Sequence, residues 1–134
     1  MRIEGWESLL NEHIEQAKGI VFEWGMNDCA LWAADWVNKA TGNDFASQWR
    51  GLYTTEAELN ALMAERELEL PGDIADDVGL PQMDVPFAQR GDIVLVRQGR
   101  RKALAGCVGA EIAAPSKAGL ESLPISVAIN AWRI

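Results

Sequence analysis

The chain has 134 residues, with 12 basic and 20 acidic side chains, two cysteines and one histidine. Its formal net charge of −8 argues against nucleic-acid binding, since that affinity comes mainly from basic side chains on phosphates. No apolar stretch is long enough to span a membrane, and the acidic N-terminal segment is unlike a signal peptide. We therefore expect one domain, residues 1–134, made in the cytoplasm and not inserted into a membrane. One histidine and two cysteines are too few for the common metal sites, and we predict neither a metal nor a cofactor.

Charge is distributed unevenly along the chain. Residues 1–89 carry 17 acidic and 5 basic side chains, whereas residues 90–134 carry 3 acidic and 7 basic ones. An asymmetry of this kind marks either a functional face or, more simply, solvated acidic helices followed by a half rich in strands. We favour the second interpretation.

The first half has the periodicity of helices. Apolar residues at helical spacing predict a helix over residues 4–18, which Gly19 ends. A second helix is predicted to begin after Asn27-Asp28 and to end at Thr41-Gly42. Thr55, with Glu58 three residues later, forms a capping-box pattern and predicts a third helix over about 55–66. One or two helical turns are expected between 73 and 78, before an extended connection rich in glycine and proline.

The second half has shorter apolar runs. Residues 92–96 and 103–113 predict two strands joined by a turn at 99–102, and residues 125–134 predict a last strand. The basic turn at 99–102 is interpreted mainly as a solvated hairpin tip. Helices followed by antiparallel strands predict an α+β fold, with the N-terminal helices packed on a small antiparallel sheet formed by the C-terminal half.

The candidate chemistry lies at the start of the second helix, at Asp28 and Cys29. A cysteine at a helix N-terminus is exposed to the positive end of the dipole and to unpaired backbone N–H groups, which favour the nucleophilic thiolate. A thiol hydrolase would also need an imidazole within hydrogen-bond distance. Free cysteine is, however, among the most buried residue types, and Cys29 lies on the apolar face of its helix. Spacing alone favours a structural cysteine over a nucleophile.

Asp28-Cys29 opens a helix, and Gly91-Asp92 follows about sixty residues later at the start of an apolar strand. These two motifs, in this order, resemble those of the NlpC-type cell-wall peptidases, a papain-like cysteine hydrolase superfamily. The resemblance runs from about residue 22 to the C-terminus. It implies a papain-like fold in which Cys29 is the nucleophile. More narrowly, the segments 24–32, 50–53 and 131–133 look like small tail-associated proteins of phages and prophages.

The resemblance also implies a catalytic histidine, which this chain lacks. The family has a His-Val-Gly motif on the second core strand, where this sequence has Cys107-Val108-Gly109. The third polar residue of the family would fall near Gly119. The single imidazole, His13, is expected to be solvated on the first helix. Because general acid–base catalysis contributes typically about 10²- to 10⁴-fold, the loss of the base makes enzymatic activity the less favoured outcome.

The resemblance further implies that Cys29 and Cys107 are near neighbours. They would then be a reduced pair, a disulfide or two small core residues, and a reduced, packed pair is our first expectation.

Three aromatic residues near Cys29 are candidates for an exposed binding surface: Trp24, Trp49 and Tyr53. Three other tryptophans, Trp32, Trp36 and Trp132, are predicted to lie in the core.

These observations favour a phage or prophage tail-tip or tail-assembly protein on a catalytically degenerate NlpC-like fold. Its partners would be other tail proteins and, less directly, peptidoglycan, and it would enter the virion tail. The alternative is a cysteine hydrolase of peptidoglycan peptides with Cys29 as nucleophile and an unidentified base.

Overall fold

A computed structural model describes residues 2–134, in which four α-helices precede all six strands. The helices are α1 (Trp6–Lys18), α2 (Cys29–Thr41), α3 (Glu56–Glu65) and α4 (Pro71–Asp77). The strands are β1 (Gln82–Met83), β2 (Ile93–Gln98), β3 (Arg101–Cys107), β4 (Glu111–Ser116), β5 (Gly119–Pro124) and β6 (Ala128–Trp132). The α+β class predicted from the sequence is confirmed.

The helix boundaries follow local signals closely. Helix α1 begins two residues after the predicted start, because Gly5 has a left-handed backbone (φ 80°) and lies outside the helix. Helix α2 has both predicted caps: the side chain of Asp28 at its start, and Gly42 with φ 84° at its end. In α3 the hydroxyl of Thr55 accepts the backbone N–H of Glu58. The Glu58 carboxylate accepts hydrogen bonds from the backbone N–H and the hydroxyl of Thr54, whereas a capping box would have it accept from the N–H of Thr55.

The strands pair in the order β1-β6-β2-β3-β4-β5, and all the pairs are antiparallel. The predicted strand over 103–113 is wrong in extent, because the chain turns back at residues 108–110 and divides it into β3 and β4. The sequence patterns did not predict β1 or β5. Strand β5 shows no clean alternation of burial, which explains why its periodicity was not detectable.

The two faces of the sheet are both buried over its central strands. One face packs on α1, α2 and α4 through a cluster of large side chains that includes Leu10, Trp36, Ile93, Leu95 and Trp132. The opposite face carries mainly small and β-branched side chains, among them Val94, Val96, Ala103, Ala105 and Ala114. Burial on both faces accounts for the continuous apolar run of β2, since strands covered on both sides lose the alternating pattern.

The three tryptophans predicted for the core are there, with exposures of 7% for Trp32, 0% for Trp36 and 1% for Trp132. Among residues 2–134, no helix is both long and apolar enough to cross a bilayer.

Candidate functional site

The turn before α2 is held by the carboxylate of Asp28, which is fully buried. One oxygen caps the helix by accepting the Leu31 N–H at 3.0 Å. The other accepts the N–H of Gly25 at 2.9 Å and the hydroxyl of Tyr53 at 2.5 Å. A buried carboxylate without a cation requires such donors, because an unsatisfied buried charge is strongly unfavourable. Asp28 therefore fixes the geometry of the turn that presents Cys29.

Close packing and backbone conformation explain why residue 25 of this loop is a glycine. Its φ of 85° lies in the left-handed region, and a Cβ there would come within 1.8 Å of the Tyr53 carbonyl oxygen. The N–H of Gly51 donates to the Gly25 carbonyl at 2.9 Å. The loop before α2 and the segment around Tyr53 thus form one unit joined by backbone and side-chain hydrogen bonds.

Cys29 is the first residue of α2, as predicted, but the residue is buried, with an exposure of only 4%. Its S–H donates to the carbonyl oxygen of Pro115, 3.1 Å away at the end of β4. Burial raises the pKa of Cys29 to about 11, and the nearby guanidinium of Arg101 offsets this only in part. At neutral pH the group is therefore a protonated thiol that acts as a hydrogen-bond donor.

Arg101, the first residue of β3, contacts Cys29 at the start of α2. Its Nη2 lies 3.8 Å from the sulfur and 3.0 Å from the side-chain oxygen of Gln98. The guanidinium lies 5.1 Å from the ring centre of Trp24 and 3.5 Å from the Glu56 carboxylate. A guanidinium is always protonated near neutral pH, so it cannot accept the proton of the thiol.

These groups line a cleft of about 300 Å³, here called the Cys29 cleft. Its walls include Trp24, Cys29 and Arg101, together with Leu59 and Met63 from α3. The arrangement can position a ligand through an aromatic face and a cation. The carboxylates of Glu56 and Glu69 also line the cleft, and Glu56 is paired with Arg101 at 3.5 Å, whereas the thiol itself donates to Pro115.

The sequence reasoning missed Arg101, which it assigned to a solvated hairpin tip. No local pattern could have found it, because the contact with Cys29 joins residues 72 positions apart.

Cys107 and Cys29 belong to the same buried cluster, but their thiols have different hydrogen-bond acceptors. Cys107 ends β3, at the opposite end from Arg101, and its S–H donates to the carbonyl of Gly109 at 3.4 Å. Cys107 pairs with Ile112, and Pro115, which binds the Cys29 thiol, lies three residues farther along β4. At the usual rise of a strand this is about 10 Å, so the two cysteines contact different parts of the sheet. Both are free thiols, and burial raises the pKa of Cys107 as well.

His13 is buried, which contradicts the predicted solvated position. It is 5% exposed, stacks on Trp32 at 4.7 Å between ring centres, and its Nε2 lies 2.9 Å from the Trp32 carbonyl oxygen. The helical pattern of α1 placed His13 between apolar residues 10 and 17, and that spacing was the available signal. The ring lines a different cavity from the Cys29 cleft. Gly119, at the start of β5, lines the same cavity as His13 and has no side chain to contribute.

The predicted exposed aromatic surface is only partly correct. Trp24 is half-buried and lines the Cys29 cleft. Trp49 and Tyr53 are 6% and 3% exposed, so they are core residues. They pack in a cluster under α3, and Arg66 covers the Trp49 ring at 4.1 Å.

Asp92 is a second fully buried carboxylate, and it lies directly before β2 where the Gly-Asp motif was noted. Its carboxylate accepts hydrogen bonds from the guanidinium of Arg2, at 2.6 Å, and from the backbone N–H groups of Gln89 and Ile134. This aspartate therefore joins the two ends of the described chain and has no contact with the thiol of Cys29.

The fold and the site define an α+β protein with a helix-terminal thiol that is buried, protonated and covered by an arginine. By sequence, the chain belongs to the family described as a domain of unknown function (DUF6950), which it matches over residues 1–134. No curated protein matches the chain. Among residues 2–134, no group of three or more histidine, cysteine, aspartate or glutamate side chains is arranged to hold a metal ion.

Proposed function

We propose that this protein is a non-hydrolytic component of a phage or prophage tail, built on a catalytically degenerate NlpC-like fold. The observation that carries the proposal is the state of Cys29. The residue has the position of a nucleophile at a helix N-terminus, yet its thiol is buried and donates to Pro115, and the facing strand presents Arg101.

The fold supports the NlpC-like assignment in three respects. A helix opening with Asp28-Cys29 packs on an antiparallel sheet, the strand after Gly91-Asp92 is central in that sheet, and β3 follows it as a hairpin. The tail assignment rests on the resemblance of the segments 24–32, 50–53 and 131–133. The first two of these segments include Trp24, Asp28, Cys29 and Tyr53, which build the site.

One observation favours the alternative, a cysteine hydrolase acting on peptidoglycan peptides. Cys29 borders the Cys29 cleft, so a substrate could approach the sulfur from that side. This enzyme would require a conformational change that removes Arg101 and brings a base, which is not identified, to the thiol.

A peptidoglycan turbidity assay separates the two functions. Purified wild-type protein, Cys29→Ala and Cys107→Ala are compared at equal concentration, with Cys107→Ala as the matched control for loss of a buried thiol. We expect no clearance by any of the three. Clearance by wild type and Cys107→Ala, but not by Cys29→Ala, would establish the hydrolase and refute the non-hydrolytic role.

A genetic experiment tests the tail role directly. Deletion of the gene from the phage or induced prophage should remove infectious particles, and expression of either wild type or Cys29→Ala should restore them. The protein should also co-purify with tails. Normal particle yield after deletion, with no protein in purified tails, would contradict the proposal.

A further inference from the structure

A second cavity, of about 260 Å³, lies between α1, α2 and the turn joining β4 to β5. We call it the His13 cavity. Its floor is formed by the buried side chains of His13, Ala17 and Trp32, and Gln16, Asn38 and Lys39 form an exposed rim. The proposed function makes no use of it.

One of the residues that line the floor, Trp32, has a buried donor without an acceptor. Trp32 is 93% buried, since its exposure is 7%, and its indole Nε1–H makes no hydrogen bond to residues 2–134. The ring is fixed in place, because His13 stacks on one side and a Cβ at Gly106 would come within 3.1 Å of it. A buried N–H without a partner is unfavourable, so an acceptor oxygen that reaches Nε1 from the cavity would be stabilising. Because Nε1 is fully buried, the acceptor reaches it only after small shifts of neighbouring side chains.

The rim contains a cation whose contacts are neutral. The Nζ of Lys39 lies 3.0 Å from the Nδ1 of His13 and 3.0 Å from the side-chain oxygen of Gln16. The Trp32 carbonyl only accepts, so His13 carries its proton on Nε2 and accepts from Lys39 at Nδ1. The carboxylate that lines the cavity, Asp35, is paired with Arg50 at 2.6 Å.

We propose that the His13 cavity binds a small carboxylate, which Lys39 holds by charge and Trp32 by its indole N–H. The remaining wall favours a ligand with a compact apolar part, since Ala17, Ile20 and Phe22 line the cavity. A monoacid with one ring or one short peptide unit matches the volume. The anionic group is set by Lys39, because a neutral amide would leave that cation with neutral partners only.

The test uses the full chain with ¹⁵N-labelled tryptophan and two pairs of probes. Benzoate is compared with benzamide, and acetyl-glycyl-glycine is compared with its C-terminal amide, all at constant ionic strength. We expect an acid from at least one pair to shift the Trp32 indole resonance with a dissociation constant of millimolar order, as a ligand of about ten heavy atoms allows. Binding of benzoate points to a free small acid, and binding of the peptide acid points to a peptide C-terminus. The neutral amides should leave the resonance unchanged.

Variants assign the contacts. Lys39→Gln should weaken binding by about tenfold or more, as read from the Trp32 resonance. Trp32→Phe keeps a ring stacked on His13 but lacks that resonance, so its binding is measured by isothermal titration calorimetry beside wild type, and it should be weaker by about fivefold. Lys18→Gln, on the exposed end of α1, is the control and should bind as wild type does. The proposal is refuted if neither acid shifts the Trp32 resonance, if the amides bind as well as the acids, or if Lys39→Gln binds like wild type. None of these results depends on a tail role or on hydrolysis.

Discussion

The Cys29 cleft and the His13 cavity contain the two groups that a thiol hydrolase would combine, and the fold keeps them apart. The Cys29 thiol donates to the carbonyl of Pro115, a residue that lines the His13 cavity, and the imidazole lies against the Trp32 carbonyl. Each group is thus satisfied by a backbone oxygen and not by the other. Burial raises the pKa of Cys29 to about 11 and lowers the pKa of His13, so both are held in their neutral forms.

The comparison shows that residue content alone does not make a reactive site. A cysteine, a histidine and a helix N-terminus are all present, but desolvation dominates both pKa shifts. An ion pair of thiolate and imidazolium would need contact between the two groups and solvent or polar partners for each.

The largest expected effect is on the cleft side, at the carboxylate that holds the turn before Cys29. Asp28→Ala removes the acceptor for Leu31, Gly25 and Tyr53 and leaves three donors unsatisfied in the interior. The free energy of unfolding should fall by about 3 kcal/mol or more, measured by urea denaturation. Tyr53→Phe removes one of these donors and should cost roughly 1 kcal/mol. Equal losses for the two variants would show that Asp28 has only a minor role in fixing this turn.

The thiol itself provides the next test of the comparison. At pH 8 a thiol with a pKa near 11 is present as thiolate about 100-fold less often than an ordinary cysteine. Because the thiolate is the reactive form, iodoacetamide should alkylate Cys29 in the native protein at least about 100-fold more slowly than in the unfolded chain. The rate should rise about tenfold per pH unit between 8 and 10. The Cys107→Ala variant isolates the signal of Cys29. Rapid alkylation at pH 7 would mean that Cys29 is an activated nucleophile after all.

On the cavity side, the Trp32 ring has little freedom to move. Gly106→Ala places a Cβ 3.1 Å from this ring, and His13 on the other side prevents its retreat. We expect a loss of roughly 1–2 kcal/mol in the free energy of unfolding. Gly19→Ala is the matched control, because its Cβ would meet nothing closer than 3.9 Å and its φ is negative. A neutral result at Gly106 would indicate that the floor of the His13 cavity is loosely packed.

The smallest expected effect is a dependence of stability on pH that comes from His13. The folded-state pKa of His13 is lowered, mainly by burial and also by Lys39, so the unfolded chain takes up a proton more readily. Stability contributed by the neutral ring is therefore complete above the unfolded pKa of about 6.5 and declines as the pH falls below it. Denaturation curves of wild type and His13→Gln at pH 7 and pH 5 should show a smaller loss in the variant. Lys39→Gln removes a positive charge that lowers the pKa of His13, so this variant should also lose less stability at pH 5. The carboxylate of Asp35 acts in the opposite direction and raises the pKa of His13.

Much of the fold could be predicted because its signals are local. The caps at Asp28, Gly42 and Thr55 set the ends of two helices, and each acts through contacts within four residues. The three core tryptophans were predicted because they recur at helical or strand spacing. The division of residues 103–113 into β3 and β4 was missed because an apolar run does not reveal the turn at Gly109, whose φ is 129°.

The site was predicted less completely. Asp28 and Cys29 were found from their position at a helix start, and Trp24 from its place in the preceding loop. The role of Tyr53 was missed because its hydroxyl meets Asp28 across 25 residues, and that of Arg101 because β3 brings it to Cys29 across 72. His13 was misplaced at the surface, although its face of α1 includes the buried residues Leu10 and Ala17.

The amino-acid sequence by itself determined both ends of α2, the start of α3, the α+β class and the absence of any histidine beside the Cys107 motif. These are properties of short segments, in which capping, spacing and composition act directly. Only the tertiary structure decided that Cys29 donates to Pro115 and that His13 is buried against Trp32. The charge state of an ionisable group depends on burial and on partners brought from distant parts of the chain, which local sequence does not specify.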